Sequence, residues 1–261
     1  MSIQRISKQK LHSTKKLNLK KFREETGTFL IEGALGLQEA LQSNWQITTI
    51  FVTNEFLAKS TSRLILHQAK ERNIELIEVL EIELNTLTDV VTSQGVAAIA
   101  SQKNDEIESF PDEEQSLIIA LDTINDPGNL GTIIRTADWF GVDGVLVSEN
   151  SVEKYSPKVV RASMGSFFHI PIVGGVNLVE QLGKFKQKGY WISCASVGAK
   201  TTLQEINLKP KSVIVFGSEA HGISEEVLEI CDEQFSIPKH GKAESLNVAI
   251  SCGVVLGKVK T

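Results

Sequence analysis

The 261-residue sequence has little with which to hold a metal or to cross-link itself. Its three cysteines, Cys194, Cys231 and Cys252, are odd in number, far apart, and without the close cysteine or histidine neighbours that a zinc site needs. They are expected to be reduced, buried thiols. The histidines, His12, His67, His169, His221 and His240, are equally scattered, so no metal is expected. No apolar run reaches the roughly 18 residues of a membrane span. The basic stretch from Met1 to Arg23 is not followed by the apolar core of a secretion signal. A cytoplasmic protein with no membrane partner is therefore expected. Internal repeats and low-complexity tracts are also missing.

What is present is ordinary globular material. Apolar residues make up 41% and charged residues 23% of the chain, enough for real cores and far from a disordered composition. The length allows one large domain or two of common size, and the pattern along the chain favours two. The formal net charge of -5 is unhelpful to nucleic-acid binding, but it is unevenly spread. Arg5, Lys8, Lys10, Lys15, Lys16, Lys20, Lys21 and Arg23 face only Glu24 and Glu25 within the first 25 residues, a local excess of six positive charges. Such a segment is either a phosphate-contacting arm or an exposed helix with a solvated basic face.

Hydrophobic periodicity then predicts an α/β unit. Thr28–Glu32, Ile47–Val52, Ile74–Val79 and Val96–Ala100 read as strands, with helices over Ala34–Leu41 and Thr61–Arg72. This N-terminal domain is expected to span residues 1–103. A polar, acidic stretch, 104–116, is the expected linker. Beyond it, over 117–261, Leu117–Leu121 opens a second alternation. Strands are expected at Gly144–Val147, His169–Val173, Tyr190–Ala195, Ser212–Phe216 and Gln234–Ile237. Helices are expected at Asn129–Phe140, Leu178–Lys188, Ser224–Ile230 and Ser245–Val259. A doubly wound, mainly parallel sheet follows.

Ligands of such sheets lie beyond the carboxyl ends of the strands, so the loops there are where chemistry belongs. The first, Asp122 to Arg135, turns through Pro127, Gly128 and Gly131 into a helix, with Asn129 placed as its cap and Arg135 two turns in. It has neither the Gly-x-Gly-x-x-Gly spacing of dinucleotide sites nor a Walker-type Gly-Lys-Ser/Thr. Alone, Asn129 is equally a plain helix cap and Arg135 a surface ion-pairing residue. The second loop, Phe216 to Ser224, carries Gly217 and Gly222, which permit close backbone approach, and Ser224 as a helix cap. The third, Ile237 to Ala249, joins a strand exit to a basic glycine turn and an apolar helix headed by Ser245 and Asn247.

Taken in this order the three loops resemble the motifs of the SpoU (TrmH-like) family of RNA 2'-O-methyltransferases, of the SPOUT superfamily. The first motif is matched by Asn129, Gly131 and Arg135. Gly217, Ser218, Glu219 and Gly222 match the second, and Ile237, Pro238, Ser245, Leu246 and Asn247 the third. The N-terminal half resembles the family's L30e-like substrate-binding domain through Lys20-Lys-Phe-Arg, Gly27 to Gly33 and Gln94-Gly-Val-Ala-Ala. Arg161 to Ser166, before Ile170-Pro-Ile, is most similar to the ribosomal-RNA branch. Ala220-His221 departs from the pattern, since many relatives have glycine or a basic residue there.

The resemblance implies a C-terminal sheet with a deep trefoil knot, an exception to the rule that chains avoid knots, behind a smaller L30e-like α/β domain. It implies S-adenosylmethionine held at Gly217, Ile237 and Leu246. Methyl transfer would go to a ribose 2'-hydroxyl of structured RNA, expected to be 23S ribosomal RNA. It makes Arg135 the base, but a guanidinium of pKa above about 12 rarely yields its proton, so stabilisation of the developing alkoxide is the better expectation. Asn129, Glu219, Ser245 and Asn247 would orient Arg135 and the ribose, with Glu219 equally suited to a subunit interface. Lys15, Lys16, Lys20, Lys21 and Arg23 would contact RNA, and the family implies a homodimer through the knotted domain. A transfer-RNA enzyme, a catalytically silent RNA-binding homologue and an unrelated nucleotide-binding enzyme remain alternatives.

Overall fold

The computed structural model describes residues 3–88, 93–111, 113–218 and 220–260. The chain divides into two units, Met1–Lys103 with Tyr155–His169, and Asn104–Lys154 with Ile170–Thr261.

In the first unit the basic segment is helical, as α1 (Lys8–Lys15) and α2 (Lys20–Thr26). Strand β1 (Gln4–Arg5) precedes them, and β2 (Thr28–Glu32), α3 (Ala34–Gln42), β3 (Ile47–Val52), α4 (Asn54–Leu57), α5 (Ser62–Glu71), β4 (Glu75–Glu78), α6 (Glu81–Leu87) and β5 (Val96–Ser101) follow. Among the described residues the strands form one sheet in the order β1-β4-β3-β5-β2. Pairing is parallel on the β1, β4, β3 side and antiparallel where β5 joins β3 and β2. Leu30, Phe51, Ile77, Leu84 and Ile99 are part of its core.

The second unit begins with β6 (Ser116–Leu121), buried at every position as a strand covered on both faces must be. After it come α7 (Pro127–Trp139) and β7 (Gly144–Ser148); α8 (Pro157–Ala162) belongs to the first unit. The chain then returns through β8 (Ile172–Val176), α9 (Leu178–Gln187), β9 (Trp191–Ala195), β10 (Thr201–Thr202), β11 (Lys211–Phe216), α10 (Glu225–Ile230), β12 (Glu233–Ser236) and α11 (Val248–Val259). The strands pair in parallel in the order β10-β12-β9-β11-β6-β7-β8. From β6 the chain runs outward through β7 and β8, then crosses to β9 and returns inward to β11, so the crevice beyond the ends of β6 and β11 is the switch point of the sheet.

Three expectations are corrected. Residues 155–169, expected in the C-terminal domain, pack in the first unit because their rings are needed there. Tyr155 lies 4.8 Å from Phe29, Phe167 lies 5.5 Å from Trp45, and the Tyr155 hydroxyl bonds both backbone groups of Lys103, at 2.7 and 2.8 Å. The strand expected at His169–Val173 accordingly runs from Ile172 to Val176. The acidic stretch expected as a linker carries Ile107 and Phe110 into the core of the second unit. Gly144 makes room for this, since a Cβ there would sit 2.6 Å from the Phe110 ring. Cys194 on β9 and Cys231 after α10 lie side by side, with a Cα–Cα distance of 6.2 Å, and Cys252 is a buried free thiol. Burial pushes the Cys252 pKa up to about 12.

Phe110→Ala is expected to lower stability by about 3 kcal/mol, as deletion of a buried ring does. Urea unfolding measures it, and an unchanged midpoint would return the stretch to a linker's role.

Candidate active site

The first loop is shaped by its own side chains. Asp126 is the N-cap of α7, its carboxylate accepting from the Asn129 N–H at 2.9 Å, and Pro127 takes the first helical position, where its missing N–H is no loss. Asn129 is therefore not the cap expected from the sequence; it sits inside the first turn with its side chain turned elsewhere. The Asp126-Pro127 pair was the available signal, since an acidic cap followed by proline marks a helix start.

Asn247 caps α11, its side-chain oxygen accepting from the N–H groups of Ala249 at 3.0 Å and Ile250 at 3.2 Å. Its amide nitrogen is thereby left to donate to the Asn129 side-chain oxygen at 3.1 Å. One hydrogen bond thus joins the first and third loops. The helices behind them pack closely through small residues, where a Cβ at Gly253 would meet Thr136 at 3.8 Å and one at Gly257 would meet Phe140 at 3.7 Å. Arg135 is exposed on α7, on the face shared with Thr132 and Trp139.

The first and second loops are joined by a buried carboxylate. Asp122, at the end of β6, accepts from the Ser224 N–H at 2.8 Å and from the Thr123 hydroxyl at 3.0 Å. Ser224 holds the cap position of α10 as expected, but its backbone rather than its hydroxyl is engaged. Thr123 has a φ of +60°, a conformation that a β-branched residue adopts only when held. The holding bonds run from the Thr123 N–H to Ser148 Oγ and from the Ile124 N–H to Ser151 Oγ, both 2.9 Å.

Gly217 is glycine by necessity, because a Cβ would lie 2.1 Å from the Gly222 carbonyl carbon. Ser218 and Gly222 exchange two backbone hydrogen bonds of 2.9 Å, closing the loop on itself, and Gly222 has a φ of +71°. Beside this loop lies a cavity of about 940 Å³, at the carboxyl ends of β9, β11 and β12. Gly217, Ile237, Leu246 and Ser245 all line it, as do Pro238 and the unforeseen Ser196–Gly198 turn. Its walls are mainly apolar side chains and backbone, which suits a ligand held by shape and main-chain polar groups. Glu219 lies outside the described residues.

The basic residues are in the first unit. Lys20 and Lys21 pair with Glu24 and Glu25 at 3.6 and 3.8 Å, and the Lys16 ammonium lies 5.0 Å from the Phe22 ring centre. Lys15 is exposed on α1. Arg23 is buried and donates to the Leu17 carbonyl at 2.8 Å, so its guanidinium serves the fold, a correction to its expected place on the RNA-contacting surface. Among the described residues no group of three or more metal-ligating side chains gathers.

Residues 116–257 match the SpoU rRNA Methylase family, and residues 8–98 the MRM3-like substrate binding domain. The 23S rRNA (guanosine(2553)-2'-O)-methyltransferase of Bacillus subtilis is 31% identical over 254 residues, covering 97% of each chain. An AdoMet-bound rRNA methyltransferase from Sinorhizobium meliloti superposes with a TM-score of 0.87 at 28% identity, over 98% of this chain and 95% of that one. AviRb from Streptomyces viridochromogenes, in complex with AdoMet, has the same fold at 24% identity, with a TM-score of 0.90 over 97% of each chain.

Asp122→Ala leaves the part-buried Ser224 N–H without its acceptor and is expected to destabilise the protein by about 1–3 kcal/mol. Asp122→Asn, which retains an acceptor oxygen, should lose less. Urea unfolding of the two variants beside the parent decides the point, and equal losses would mean that the tie between the loops is not what Asp122 supplies.

Proposed function

Because the chain belongs to the SpoU rRNA Methylase family, and is thus an S-adenosylmethionine-dependent RNA ribose 2'-O-methyltransferase, we propose that it methylates 23S ribosomal RNA with Arg135 as its main catalytic group and that it works as a homodimer. The observation that carries the site assignment is that the second and third loops line one cavity and the first loop is tied to both, through Asp122 to Ser224 and Asn129 to Asn247. The ribosomal target rests on a relative that matches from end to end and bears that name. A cytoplasmic location goes with such a substrate.

The cavity fits the cofactor. Gly217 presents bare backbone where any Cβ would clash, and Ile237, Pro238 and Leu246 offer apolar surface to an adenine and a methionine chain. S-adenosylmethionine supplies an electrophilic methyl group when bound. A ribose hydroxyl is a weak nucleophile until negative charge on its oxygen is stabilised. A guanidinium is a poor base and a good donor, so Arg135 acts by placing positive charge and hydrogen-bond donors beside that oxygen. Asn129, held by Asn247, and Ser245 at the cavity wall act as positioning residues. Glu219 is assigned to orientation of the same group or to the subunit interface. Lys15, Lys16, Lys20 and Lys21 contribute phosphate contacts.

The trefoil passage belongs to this reading. Its support is that the last segment of the chain, from β12 to α11, supplies one wall of a cavity whose other walls come from earlier loops. For the dimer, the support is an apolar face on α7 and α11, where Trp139, Ile250 and Val254 are 84%, 54% and 42% exposed on the two helices that carry Arg135 and Asn247. An apolar face of that kind on a globular unit is usually covered by a partner.

With methyl-labelled cofactor and unmodified 23S ribosomal RNA, Arg135→Ala is expected to slow label transfer by roughly 100- to 1,000-fold while leaving cofactor affinity unchanged. Full activity in that variant would remove Arg135 from the chemistry, and cofactor binding without transfer to any RNA would favour a silent RNA-binding protein. Light scattering should find a dimer that Ile250→Glu with Val254→Glu converts to a monomer; a parent that is already monomeric would end the dimer proposal.

A further inference from the structure

The stretch Arg161 to Ser166 is not used by the chemistry above, yet it is built into the first unit with care. Arg161, on α8, pairs with Glu32, the last residue of β2, whose carboxylate is almost wholly buried. Met164 takes a φ of +52°, rare for a side chain of its size, and Gly165 follows at +98°, where a Cβ would sit 2.5 Å from the Glu39 side chain. Strain of this kind is kept only where the surroundings enforce it. Here it leaves Met164 49% exposed, and Leu35 on the first turn of α3 is 41% exposed. Both line a slot of about 170 Å³, as do Gln94 and Ser93. Gln94 is fixed in place, its side-chain oxygen accepting from the Ala34 N–H at 2.9 Å.

The slot is smaller than the roughly 300 Å³ at which pockets for drug-sized ligands begin, so it suits one flat ring rather than a whole cofactor. Its two flanks are apolar. Its edge is polar, with the Gln94 carboxamide and a guanidinium that has five donors, of which Nη1 goes to Glu32. Apolar faces with a donor- and acceptor-bearing edge are the complement of an unstacked nucleobase, and proteins that read RNA do so chiefly at unpaired bases. Leu35 and Gln94, though not Arg161 and Met164, lie in the part of the chain that matches a substrate-binding domain.

We infer that this slot holds one unpaired base of the RNA substrate, sandwiched between Leu35 and Met164 and read at its edge by Gln94 and Arg161. The inference rests on the reading of the chain as an RNA methyltransferase, and it makes Arg161 to Gly165 a recognition element supplied by the methylase region of the sequence.

The test is ultraviolet cross-linking of the full chain to unmodified 23S ribosomal RNA carrying 4-thiouridine, with adducts located by mass spectrometry, together with filter binding of the same RNA to Leu35→Ala and Met164→Gly. The second variant removes a flank while relieving the positive φ, so it should fold at least as well as the parent. Adducts are expected on the peptides that contain Leu35 or Met164. RNA affinity should fall at least fivefold in each variant, with S-adenosylmethionine affinity unchanged. Adducts confined to other surfaces, with both variants binding as the parent does, would overturn the slot assignment. Because the readout is binding, a parent that binds this RNA through the slot but transfers no label would sink only the catalytic reading. A parent that binds no RNA would sink both.

Discussion

The pairing of β6 with β11 is the constraint on which the site depends. It puts the ends of two parallel strands side by side at the switch point of the sheet, so that Asp122 and Gly217 leave it as neighbours. Two needs then meet in one small volume. The backbone of the second loop must close on itself at Ser218 and Gly222, which forbids a side chain at Gly217. The start of α10 must find an acceptor for its first N–H, which Asp122 supplies from the adjoining strand. Neither requirement involves a ligand, but together they set the position of a wall of the cavity before any ligand arrives, which is what preorganised binding asks for.

The third loop is tied in differently. Asn247 uses its oxygen to cap α11, and this leaves only its nitrogen for Asn129. The capping requirement thus decides which end of each amide faces the other. A polar pair that looks interchangeable in sequence has, in the fold, a fixed sense of donation.

Much of this was legible in the sequence, for identifiable reasons. Strands β2 and β3 were placed to the residue, and β6 and β11 to within one, because apolar and β-branched runs bounded by polar turns have few other interpretations. The residues that line the cavity, Gly217, Ile237 and Leu246, were found from motif order rather than from periodicity. What failed were features set by distant partners. Arg23 reads as one more cation in a basic run, and only packing shows it buried. Cys194 and Cys231 are 37 residues apart, a spacing that predicts nothing until β9 and α10 meet. The strand expected from His169 begins instead at Ile172, because Phe167 and Phe168 just ahead of it place their rings beside Phe29 and Trp45. Short helices such as α6 and α8 hold too few turns to show a period.

The insertion of Tyr155–His169 into the first unit bears on how such proteins are inherited. A gene fragment ending at Lys103 would encode a sheet whose Phe29 and Trp45 lack the rings that cover them, and one starting at Asn104 would carry those rings with nothing to cover. The two units are therefore not beads that recombination can exchange freely. A substitution in the ring cluster on one side meets its packing partner some 120 residues away, in the part of the sequence that matches the methylase family.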